Sequence, residues 1–163
     1  MPDGMAEANY FYKNSSIYFN EHIPPEDREE FAIHECIHHI QEVKDKKNCL
    51  IRMGLCDYTE FKIYGLALNE AVVQLMASKI IGIPKDFVKY YGIDFGTVSP
   101  SYYPLECCLA SQLAYLFGED ILFDSTLNSN DNFKNAFINA TSLKTFYAIE
   151  NAFDDILYAE ESI

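Results

Sequence analysis

The residues best suited to chemistry in this chain are His34, Glu35 and His38, in the run His34-Glu35-Cys36-Ile37-His38. Two histidines four apart on a helix project from one face, one turn from each other. Imidazoles so placed can bind one zinc ion, and Glu35 beside them can reach a water at the metal. This is the H-E-x-x-H arrangement of two ligands and a general base. At 100° per residue, Ala32, Ile33, Cys36, Ile37, Ile40 and Val43 share one face, and His34, Glu35 and His38 take the opposite side. The wheel thus predicts an apolar face turned to the core and a histidine face turned to a cleft. A structural zinc, or a solvated polar face with ordinary i,i+4 contacts, would give the same wheel.

A catalytic zinc takes three protein ligands and keeps one position for water. Glu70 is the candidate for the third. Ile63, Leu66, Ala67, Val73 and Ala77 surround it on its helix, with Gln74 its only polar neighbour. A carboxylate on an apolar face needs a partner or a proton. Zinc is one partner; a buried lysine or arginine, or a less buried helix edge, are the others. Glu60 reads as a cap. Glu42 lies too near His38 on the same helix to close a tetrahedral site. His39 reads as a support or surface residue, His22 as structural, and Cys36 as core. Cys107 and Cys108 also read as core. Tyr102 or Tyr103 is a candidate to steady an oxyanion.

These side chains need two helices and a hairpin. Tyr10-Phe11-Tyr12 and Ile17-Tyr18-Phe19 are rich in strand formers, so residues 9 to 19 read as a β-hairpin. A helix is expected from about Pro25 to Asp45, opened by proline and acidic residues and closed by a basic stretch. Residues 48 to 58 are ambiguous, with a short strand at Leu50-Met53 broken by Gly54. A second helix follows, with Asp57 and Glu60 as a capping box unless Gly65 moves its start, and it ends at Gly82. Further helices are expected at Pro84–Tyr91, Pro104–Phe117, Asn132–Ala140 and Ser142–Glu160, with loops over 92 to 103 and 126 to 131. The fold class is mainly α, of the α+β kind, in one domain spanning 1–163. Residues 9–82 form its metal-binding core, and 83–163 form a helical C-terminal part.

Composition limits the partners. The chain has 163 residues, 49% hydrophobic and 15% aromatic, which is enough for a packed core. With 25 acidic and 12 basic residues its net charge is -13, so nucleic acid and anionic membrane surfaces are disfavoured. The bland consequence of this acidity is solubility; a weak preference for basic peptides is another. Five cysteines without a CxxC pair fit a reducing compartment. No run nears the roughly 18 apolar residues that cross a bilayer, and the first residues lack the features of a signal peptide. A cytoplasmic location is expected. Oligomeric state is not legible.

His34-Glu35-Cys36-Ile37-His38, followed on a second helix by Asn69-Glu70, resembles the gluzincin group of zinc metallopeptidases. The hairpin Tyr10-Phe11-Tyr12 to Ile17-Tyr18-Phe19-Asn20, the acidic helix start, Phe31-Ala32-Ile33-His34-Glu35 and Glu70-Ala71 to Met76-Ala77 are similar to ImmA/IrrE-type proteases. The resemblance covers residues 9 to 82. It implies a zincin-like fold, His34, His38 and Glu70 as zinc ligands, Glu35 as catalytic base, and an edge strand for an extended peptide or protein substrate. Ile37 departs from the small residue those families often carry, and the C-terminal half matches no family pattern. An inactive zinc-binding relative, acting as a regulator or interaction module, and a metal-free helical protein are the competing readings.

Overall fold

A computed structural model describes residues 7–25 and 27–160. The chain opens with strands β1 (Ala8–Phe11) and β2 (Ser16–Phe19), paired antiparallel with Tyr10 opposite Ile17. Helix α1 (Arg28–Gln41) follows. Four short strands come next: β3 (Glu42–Lys44), β4 (Leu50–Met53), β5 (Cys56–Tyr58) and β6 (Ile63–Tyr64), forming one antiparallel meander. Helix α2 (Leu66–Ile81) leads to the hairpin β7 (Asp86–Tyr90) and β8 (Ile93–Thr97). Helices α3 (Pro104–Phe117), α4 (Glu119–Leu127), α5 (Asn132–Ala140) and α6 (Leu143–Glu160) complete it.

The architecture is α+β, with α2 at its centre. A helix apolar almost all round belongs in an interior, and α2 packs against α1, α3, α4 and α6. Its Leu68, Val72, Leu75 and Met76 are buried with Ile37, Leu113, Leu122, Phe133, Phe137, Phe146 and Phe153. Edge-to-face and stacked rings extend this core from Phe117 through Phe137 to Phe146, geometries that add to simple area burial. A smaller cluster of Ala8, Ile23 and Phe31, joined by Tyr102, seats the first hairpin on the start of α1. Among the described residues no helix is long and apolar enough to cross a membrane.

The helix expected to reach Asp45 stops at Gln41, because 42–44 pair with β4 through a bulge at Val43/Lys44. Ser129, in the turn between α4 and α5, donates its hydroxyl to the Gln41 carbonyl at 2.5 Å. It also accepts the Gly54 N–H at 2.7 Å. The capping box at Asp57 and Glu60 does not form. Asp57 lies in β5, and α2 starts after Gly65 in the left-handed region. Gly82 ends α2 as expected, its N–H bonded to the Ser78 carbonyl.

The helix expected at Pro84–Tyr91 is a hairpin, and the loop expected over 92 to 103 is in part β8. Tyr91 and Gly92 have φ of 49° and 82°, the two successive positive values of a tight hairpin turn. Phe87, Val88 and Tyr90 are strand formers, and Pro84 and Gly92 punctuate a hairpin as readily as a helix. The helices at 104–117, 132–140 and 143–160 stand where the sequence puts them, and α4 takes in the first two residues of the loop expected over 126 to 131.

The wheel of α1 holds in part: Ile37 is in the core and His34, Glu35 and His38 line a cleft, as expected, but the rest of the apolar face is not enclosed. His34, Glu35 and His38 are 6%, 7% and 6% exposed, Gln41 is fully enclosed, and Ile40 is 62% exposed. Cys36, expected in the core, is at the surface. A polar face can turn inward when each of its groups finds a partner there, and α2 supplies those partners.

Gly54, at φ 61°, is pressed against this polar seam. A Cβ there would lie 2.2 Å from Asn69 Oδ1 and 2.3 Å from Gln41 Nε2. Gly54→Ala is therefore expected to lower unfolding free energy by about 1–3 kcal/mol in denaturant titrations, through left-handed strain and displaced amides.

Candidate metal centre

Helix α1 presents the His34 and His38 rings one turn apart, with centroids at 4.8 Å. Helix α2 runs across that face and brings in Glu70, mostly buried. Its Oε2 lies 3.2 Å from His34 Nε2 and 3.3 Å from His38 Nε2. The two Nε2 atoms are 3.0 Å apart. For metal–ligand distances near 2.0–2.1 Å the edge of a tetrahedron is about 3.3–3.4 Å. The three donor atoms therefore form one face of a zinc-sized tetrahedron, and the His34, His38 and Glu70 cluster could hold a metal ion.

The far sides of both rings are anchored. His34 Nδ1 lies 2.8 Å from Gln74 Oε1, and His38 Nδ1 lies 3.1 Å from Gln41 Oε1. An amide oxygen only accepts, so each Nδ1 carries a proton and each ring turns its Nε2 to the cluster. The glutamines are oriented in turn. Gln74 Nε2 donates to Glu30 and, at 3.0 Å, to Ser99 Oγ. Gln41 Nε2 donates to Asn69 Oδ1 at 3.2 Å, and that oxygen also accepts the Leu55 N–H at 3.0 Å. Ligand orientation from behind is a usual requirement of a metal site.

Two lone pairs and a carboxylate oxygen this close require a cation between them, whether a proton or a metal ion. Burial opposes charge on His38, but the Glu70 carboxylate outweighs it and raises the His38 pKa to about 9. Burial likewise opposes charge on Glu70, but the two imidazoles hold its pKa well below the ordinary carboxylate range. Glu35 is pushed up by burial, against the pull of His34 and His38. Its Oε2 accepts the Tyr10 N–H at 2.7 Å.

These groups open on a cleft of about 810 Å³ lined by Tyr10, Glu35, Tyr58, Leu66 and Tyr103 among others. The end of the segment expected as a loop, 101–103, reaches the cleft, as does β1. Tyr103 precedes α3 with φ 49°. Its phenol is pushed up by burial and then by Glu70 and Glu106, so it stays protonated. Gln74 links this segment to the cluster, because Ser99 Oγ donates to the Tyr102 carbonyl at 2.5 Å.

The four residues singled out from the sequence, His34, Glu35, His38 and Glu70, thus share one cleft. His39 stands apart, with Nδ1 2.7 Å from the Tyr10 hydroxyl. Glu42 bonds Tyr10 and Lys44. His22 is exposed, 3.8 Å from a Glu21 oxygen, and Glu60 is an exposed loop residue. Cys107 and Cys108 are buried, as expected. The edge strand expected to receive substrate spends its Tyr10 N–H on Glu35. Gln41, Glu30 and Ser99 escaped the sequence reading, Asn69 counted only as part of the Asn69-Glu70 motif, and Gln74 only as a neighbour of Glu70. The available signal was position: Gln41 follows His38 by three, and Gln74 follows Glu70 by four, each on the ligand face.

Gln74→Leu keeps the side-chain volume but removes the acceptor behind His34. If the cluster holds zinc, Gln74→Leu is expected to weaken its binding about 10–100-fold with the fold intact, as read by competition with a chromophoric chelator.

Comparison of the chain with protein-family models, with curated proteins and with solved structures found no match.

Proposed function

We propose that the chain is a zinc-dependent peptidase of the gluzincin kind, with His34, His38 and Glu70 as ligands and Glu35 as general base. One observation carries the reading: two Nε2 atoms and one carboxylate oxygen converge within 3.3 Å on the cleft that also holds Glu35. Two imidazoles and a carboxylate are a donor set of catalytic zinc. Zinc held there supplies Lewis acidity, polarising a carbonyl and acidifying water.

The protein's own groups do the rest. Glu35, with its basicity raised by burial, takes a proton from water and returns it to the leaving amine. The Tyr10 N–H fixes its Oε2 and leaves Oε1 for the proton. The Tyr103 hydroxyl, kept protonated, is a donor for charge developing on the carbonyl oxygen. The substrate is a peptide or protein segment, and the net charge of -13 disfavours nucleic acid. Five free cysteines fit a reducing, cytoplasmic setting.

The competing reading is a zinc-binding protein without hydrolytic activity, and it draws on the same Tyr10 N–H, which already occupies one oxygen of the base. Metal analysis of purified protein and cleavage of a peptide library separate the two. Bound zinc with cleavage lost on chelation and restored by zinc is the expected result. Zinc without cleavage selects the competing reading, and failure to bind zinc rejects both.

A further inference from the structure

A general base must be held as well as placed, and Glu35 is held from outside its own helix. The Tyr10 N–H that reaches Glu35 Oε2 at 2.7 Å is a backbone donor on the side of β1 turned away from β2. It can move only if the strand moves. A two-stranded hairpin is marginally stable by itself, so other contacts must fix the height of β1 over α1.

The side chain of the same residue provides them. The Tyr10 hydroxyl donates to Glu42 Oε1 at 2.5 Å and accepts from His39 Nδ1 at 2.7 Å. The rings of Tyr10 and His39 lie 5.3 Å apart. Glu42 Oε2 binds Lys44 Nζ at 2.5 Å, and Lys44 donates to the Tyr12 carbonyl at 3.0 Å. Glu35, His39 and Glu42 follow one another at helical spacing. Tyr10 therefore lies along that stripe, its main chain on the first residue and its hydroxyl on the other two. Lys44 closes the circuit back to the hairpin.

We propose that Tyr10 is a positioning residue for Glu35, its hydroxyl locking the strand whose N–H orients the carboxylate. The effect on turnover rests on the peptidase reading; the effect on the position 10 N–H does not.

The test uses the full chain, zinc-loaded and 15N-labelled. In Tyr10→Phe the position 10 amide proton is expected to move upfield and to exchange about tenfold faster. Turnover is expected to fall about tenfold, with KM within about twofold and zinc content unchanged, the pattern of an interaction used in the transition state. Glu42→Ala should reproduce both effects, and Glu42→Gln, which keeps an acceptor for the hydroxyl, should restore them. An unchanged position 10 amide in both Tyr10→Phe and Glu42→Ala overturns the proposal, as does a shifted amide with unchanged kcat. If the native chain cleaves no peptide, the peptidase reading fails and the amide measurements alone decide whether Tyr10 holds Glu35.

Discussion

On the proposed peptidase reading, Glu35→Gln is expected to leave zinc bound and to reduce peptide cleavage by about 10³-fold, within the range a positioned general base supplies. That loss corresponds to about 4 kcal/mol of transition-state stabilisation. Glutamine has nearly the shape of glutamate, and its amide oxygen accepts the Tyr10 N–H that glutamate Oε2 accepts at 2.7 Å. The ligand residues are not altered. What disappears is the ability to take a proton, so kcat falls while KM and metal content hold. Steady-state kinetics with metal analysis on the same preparations checks this. Undiminished turnover in Glu35→Gln rejects the assignment of the base.

The second large effect belongs to Glu70. In Glu70→Ala the two imidazoles lose the anion 3.2 and 3.3 Å from their Nε2 atoms. Zinc affinity is expected to drop by more than about 100-fold, beyond the loss from removing a supporting partner. A pH signature accompanies it in chelator-treated protein. The folded His38 pKa is raised from 6.5 to about 9. A raised cationic pKa contributes stability that is full below the unfolded value and lost as pH rises through the folded one. Thermal melts of chelated native protein should therefore fall in stability from about pH 6.5 to pH 9, and Glu70→Ala should lose that slope. Zinc competes for the same lone pair, so its uptake near pH 7.5 should release about one proton per chain. A weakly buffered titration measures this directly. No proton release would place the metal elsewhere.

The clustering of His34, His38 and Glu70 was legible because it depends on local spacing. His34 and His38 are one turn apart whatever the rest of the chain does, and Glu70 is an isolated carboxylate in an apolar helix. The later helices were legible for similar reasons, since Gly118 and Pro104 punctuate them locally. The orientation of α1 was legible only in part. Periodicity assigns Ile40 and Cys36 to an interior and His38 to a cleft, but Gln41 turns inward because Asn69 awaits it on another helix. The end of α1 was hidden for the same reason, since the hydroxyl bonded to the Gln41 carbonyl comes from Ser129. At β7 and β8 the reading failed on turn chemistry. Tyr91 does not announce a left-handed residue as asparagine would, so only Gly92 was visible, and glycine closes helices too.

Ser129 ties the His34, His38 and Glu70 cluster to the helices that follow it in the chain. It joins the last carbonyl of α1 to the Gly54 turn. Beside it, Asp131 and the Asn130 carbonyl grip Arg52 at 2.8 and 3.0 Å. Residues 9–82 contain His34, His38 and Glu70, yet a fragment cut there would leave Gln41, and through it the ring of His38, without that brace. The site is therefore not a portable cassette: grafting those residues onto another scaffold would transfer the ligands and lose their aim.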